Sequence, residues 1–135
     1  MFLFFCELPS FAGDTRTKVD FPPMMQEHMM ANMRDHLLAL QTITQQLSAQ
    51  QFNAAADTAE QRLGMSSMDD HGASHMGKMM PKGMATIGTN MHHASSRFAL
   101  AAKDAEIDGG LAKAFGALSE VMQQCVACHT GYKIH

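Results

Sequence analysis

"LAKAFGALSEVMQQCVACHTGYK", Leu111 to Lys133, places two cysteines and a histidine at the end of a long periodic run. Leu111, Phe115, Leu118, Met122, Cys125, His129 and Tyr132 recur at alternating intervals of four and three, the spacing of a single helical stripe. Asp108-Gly109-Gly110 breaks the chain before it, so the run reads as a separate last helix over 111–133. On that helix Cys125 and Cys128 lie one turn apart and project from nearly the same face, with His129 four residues beyond Cys125.

The rest of the chain keeps the helical period, so the fold class is all-α. Pro22-Pro23 opens a first helix over about 23–48, striped by Met30, Met33, Leu37, Leu40, Ile43 and Leu47. Asn53 as N-cap and Gly64 as stop frame a second helix over 53–64, with Phe52, Ala56, Ala59 and Leu63 facing inward. A third runs over about 84–105 on Met84, Ile87, Met91, Ala94, Phe98 and Ala101. Between them, 65–83 holds glycines, a proline and no sustained period, and reads as a long connection. Four stripes of this width predict an antiparallel four-helix bundle, a single domain over 13–135.

A formal charge of −3 that falls to about −2 once Glu7 is removed gives no electrostatic case for nucleic acid. The unusual feature of the 135 residues is fourteen methionines and eight histidines beside one tyrosine and no tryptophan. The opening "MFLFFCELPSFAGD" is apolar, with Ser10 and Ala12 at −3 and −1 of an expected cut, so residues 1–12 read as a signal peptide. It lacks a basic n-region, which suggests a start upstream of Met1, and Cys6 belongs to the discarded segment. No other apolar run is long enough to cross a bilayer, and the expected product is periplasmic, with no membrane insertion after cleavage.

Cys125-Val-Ala-Cys128-His129 is the C-x-x-C-H signature of c-type haem attachment: each thiol adds to a vinyl group and the adjacent imidazole becomes the proximal iron ligand. Structural zinc would want two more ligands at motif spacing, where His92-His93 is the only nearby offer. A thioredoxin-like pair would need a βαβ pattern, and a disulfide at i, i+3 in a helix would constrain almost nothing. Export fits the haem reading, since such attachment is made outside the cytoplasm.

With these residues in place the chain resembles the class II c-type cytochromes, the cytochrome c-prime family and its low-spin relatives, over nearly all of 20–135. The family's motif closes C-x-x-C-H-x-x-(Phe/Tyr)-Arg near the end of the fourth helix; here Tyr132 matches and Lys133 replaces the arginine. The family arginine lies near the haem, and lysine keeps its charge but loses the planar fork. "GGLAKAFGALSEVMQQ" is similar to the family segment before the motif, with Leu111 and Phe115 as packing residues. The resemblance implies one covalent haem c with His129 as proximal iron ligand. In the low-spin relatives a methionine near the start of the first helix is the sixth ligand. Matched on Leu37, Leu38, Leu40 and Ile43, that position falls on Met30, with Met33 as rival and Met29 and His28 behind them. A methionine stripe is also good core packing in its own right.

The connection carries Met65, Met68, His71, His75, Met76, Met79, Met80 and Met84, soft and borderline donors suited to copper. A solvated connection whose methionines cover the bundle end is favoured over a copper site, because ligand density fixes no geometry. His92 and His93 point about 100° apart, so at least one is expected in solvent. The leading function is a periplasmic electron carrier without enzymatic activity, with Tyr132, Phe115 and the first-helix methionines shielding the iron. Alternatives are a five-coordinate binder of nitric oxide or carbon monoxide, and a copper-binding haem protein. Redox partners would dock transiently, and the resemblance allows a homodimer through the first two helices.

Overall fold

The computed structural model describes residues 13–135, and most of these are helical. Helix α1 spans Pro23–Ser48, α2 Phe52–Arg62, the single turn α3 Ala73–Met76, α4 Lys82–Asp108 and α5 Leu111–Gly131. Strand β1, Thr17–Lys18, pairs in parallel with β2, Tyr132–Lys133.

Local chemistry sets the helix ends. Pro23 starts α1, where the first N–H has no partner to lose. Past its last turn, Gln50 takes φ 58, and the bonds Gln51 N–H to Gln46 C=O at 2.8 Å and Gln50 N–H to Leu47 C=O at 3.0 Å close a Schellman cap. Gln50 pays for this with a left-handed backbone that glycine would adopt freely. Gly109, at φ 70, ends α4 as the glycines had suggested.

One core joins α1, α2, α4 and α5, with α4 packed on both α2 and α5 and α1 packed on α2. Phe98, Ile43, Leu47, Leu63 and Val121 are its largest fully buried side chains, and burying Phe98 contributes about 1.5–3 kcal/mol. Most of the remainder is alanine, including the fully buried Ala39, Ala55, Ala59, Ala102, Ala105 and Ala114. Alanine lets helix axes approach closely and loses almost no rotamer entropy. A second cluster surrounds Val19, Phe21, Met29, Met76 and Met84, with Met25, Met33, Met80, Cys128, Tyr132 and Ile134 packed against it.

Three expectations need correction. The buried face of α5 is Ala114, Leu118 and Val121, so Phe115 at 41 % and Met122 at 50 % exposure stand beside it, and Leu37 of α1 is 70 % exposed. The buried positions fall beside these side chains instead, on Ala39 of α1 and on Ala114, Leu118 and Val121 of α5. The connection over 65–83 is not featureless: a 3₁₀ turn at Met65–Ser67 and α3 interrupt it. Its amides bond locally, His71 N–H to Ser67 C=O and Ala73 N–H to Met68 C=O, each at 3.0 Å, which needs no apolar period. Finally, α5 stops at Gly131 because Tyr132 turns extended (φ −132, ψ 152) to pair with β1.

Candidate haem-attachment site

Cys125 and Cys128 lie in the last two turns of α5, both as free thiols and both half-buried. Cys125 packs against the alanine-rich core and bonds the Val121 carbonyl at 3.6 Å; Cys128 packs against the methionine cluster. Burial pushes both thiols above their usual range, and Cys125 adds to the effect at Cys128, so both stay protonated at neutral pH.

His129 is exposed beside them. At about 100° per residue, His129 sits about 40° round α5 from Cys125, Met122 about 60°, Phe115 about 80° and Val126 about 100°. Met122 and the 60 % exposed Val126 therefore form an unburied apolar strip beside Cys125 and the imidazole, with Phe115 on the same side about 15 Å further along the helix axis. A hydrophobic macrocycle tethered through both sulfurs would find apolar side chains on either hand, so the donor set and its surroundings fit the group.

The N-terminal strap closes over this end. Val19 N–H donates to the Lys133 carbonyl at 2.8 Å, Arg16 reaches the His129 carbonyl at 3.5 Å, and Lys133 Nζ meets Asp14 at 3.2 Å. Arg16, more than Lys133, holds the Asp14 carboxyl far below the ordinary carboxylate range. Lys133 is thus engaged by an acidic side chain. The Tyr132 hydroxyl lies against α4, 2.5 Å from where a Cβ on Gly83 would stand.

The two first-helix methionines part company. Met33 packs on the cluster that holds Cys128, together with Met25 and buried Met29. Met30 instead lines a surface groove with Pro23, Gln26, Glu27, Ala31 and Arg34. Of the loop methionines, Met76, Met80 and Met84 also join the cluster, whereas Met65 and Met79 are exposed.

Periodicity gave no sign of a group of histidines away from the motif. His36 of α1, His71 of the connection and His92 of α4 stack beside one another, while His75 and His93 are exposed. Burial, then the neighbouring imidazoles, pull His36 down to about 4, and the same causes lower His71. Among the described residues, no three His, Cys, Asp or Glu side chains already converge as a metal would require. Comparisons with protein-family models, curated proteins and solved structures find no match to this chain.

Proposed function

We propose that this protein is an exported single-haem c-type cytochrome of electron transfer, folded as an antiparallel four-helix bundle of the class II kind. The observation that carries the reading is Cys125-x-x-Cys128-His129 on one continuous helix, with both thiols free beside an apolar strip and a methionine cluster. Haem attached there supplies a one-electron iron couple whose potential follows its axial ligands and exposure.

The chain's own residues have separate tasks. Cys125 and Cys128 would hold the haem through two thioethers, each formed by adding S–H across one vinyl group, sulfur to one carbon and hydrogen to the other, with no net oxidation. Burial raises both thiols above their usual range and leaves little thiolate at neutral pH. His129 offers a free imidazole as proximal ligand. Met33, rather than Met30, would be the methionine available to the iron on this reading, because it packs with Met25, Met29 and Cys128 in one cluster. Val19, Phe21 and Tyr132 exclude water from that end. No described helix is long and apolar enough to cross a membrane. Exposed Leu37 and Leu38 on α1 offer the homodimer face through the first two helices.

The test is expression with a c-type maturation system, followed by intact mass and by spectra of both oxidation states, with carbon monoxide added to the ferrous form. The reading expects one haem of added mass and a low-spin spectrum that carbon monoxide leaves unchanged. A colourless chain of bare mass overturns it. Immediate carbon monoxide binding replaces the carrier with the five-coordinate gas binder.

A further inference from the structure

We propose that His36, His71 and His92 form a second metal site, for a divalent borderline ion such as Zn(II) or Cu(II), independent of any haem at Cys125 and Cys128. The ring centroids of His36 and His71 are 4.7 Å apart, those of His71 and His92 5.3 Å, and those of His36 and His92 6.4 Å. Three imidazoles bound to one tetrahedral ion through 2.0–2.1 Å bonds have centroids about 5 Å apart, which the first two pairs already match, while His36 and His92 have roughly 1 Å to close. His36 Nε2 and His71 Nδ1 stand 3.5 Å apart, long for a hydrogen bond and close to the edge of such a tetrahedron, about 3.3 Å.

The surroundings orient the donors. His92 Nδ1 lies 2.8 Å from the Leu63 carbonyl, which only accepts; Nδ1 therefore carries the proton and Nε2 keeps its lone pair. His71 is positioned through its backbone: Asn32 Nδ2 donates to its carbonyl at 3.1 Å, and His28 Nε2 donates to the same oxygen at 3.0 Å. His28, Asn32 and His36 fall on one stripe of α1 at successive intervals of four, so one helix face both supplies a ligand and holds another in place. The Asp35–Arg62 ion pair ties α1 to α2 beside His36 and cancels its own charge there.

The donors do not yet meet at a point: the half-buried His36 ring has to turn toward His92, and His71 is free to follow. It is half-buried on a turn, and its ring turns between staggered wells at small cost. Three neutral imidazoles without thiolate or carboxylate select zinc, copper or nickel over magnesium or calcium, and they leave a fourth position open. A loaded ion would clasp α1, the connection and α4 together.

The experiment is calorimetric titration of the full-length chain carrying Cys6→Ser, Cys125→Ser and Cys128→Ser, so that no thiol competes for the ion, freed of metal by chelation, with Zn(II), repeated with Cu(II). One ion per chain is expected, with His36→Ala and His71→Ala each lowering affinity at least tenfold and Asn32→Ala lowering it roughly tenfold through the His71 carbonyl. Should His92→Ala fail to fold, the half-buried His36 and His71 still carry the test. His75→Ala and His93→Ala should leave affinity unchanged. Absence of a one-to-one isotherm in the micromolar range overturns the site, as does binding that survives His36→Ala with His71→Ala or that is lost in His75→Ala. None of these outcomes depends on haem, so failure here leaves the cytochrome reading standing, and the converse holds.

Discussion

The alanine-rich core shared by α1, α2, α4 and α5 and the methionine cluster at the Cys128 end are both buried and apolar, yet they are packed by opposite means. In the first, side chains without rotamers hold backbones close, and Phe98, Ile43 and Leu63 fill the few remaining gaps. In the second, Met29, Met76 and Met84 offer three rotatable bonds each and polarisable sulfurs that conform to whatever is beside them. A close-packed alanine interface specifies one arrangement, whereas a methionine cluster can repack. On the proposed function, the adaptable end is the one that has to accept a rigid macrocycle.

The contrast is open to a graded attack. Phe98→Ala should cost about 3–5 kcal/mol by denaturant unfolding, since the alanines around it cannot collapse into the void. Met76→Leu, equally buried, should cost less than about 1.5 kcal/mol. Equal losses would erase the distinction between the two regions.

Acid should act on the histidine group, apart from both apolar clusters. His36 titrates near 6.5 when unfolded and about 4 when folded, so between those values the unfolded chain binds more protons. Stability of the metal-free protein should be complete above pH 6.5 and fall by up to about 3 kcal/mol on descending to pH 4, a slope that His36→Leu should flatten. Urea titrations across that range would show it.

The smallest effect is a gain. Gln50→Gly relieves a left-handed glutamine at the α1 cap and should raise stability by about 0.5–1 kcal/mol. A loss there would mean that the Gln50 side chain matters more than its backbone.

The helices were legible because Pro22-Pro23, Gly109-Gly110 and the apolar period are local signals: α1 runs over the expected residues and α2 differs by a residue or two at each end. Their faces were less so. Bulk drew the eye to Leu37, Phe115 and Met122, whereas contact distance favoured Ala39, Ala114 and Val121. Of the adjacent pair, His93 is exposed and His92 buried, as side chains about 100° apart require. The grouping of His36, His71 and His92 could not be read at all, since only tertiary packing brings three distant elements together. Met33 was separable from Met30 only once α1 had been placed against the cluster.

The strap at the Cys128 end imposes an order on folding. Asp14 and Lys133 are 119 positions apart, and β1 pairs with a strand from the same far reach of the chain, so these contacts close nearly the largest loop available. A nascent polypeptide emits the strap early and its docking partner late, while the intervening helices can assemble from nearer neighbours. Cys128, which packs in one cluster with Val19 and Phe21, thus stays less covered until this last latch engages, and on the proposed function that interval is when an attaching enzyme could reach it.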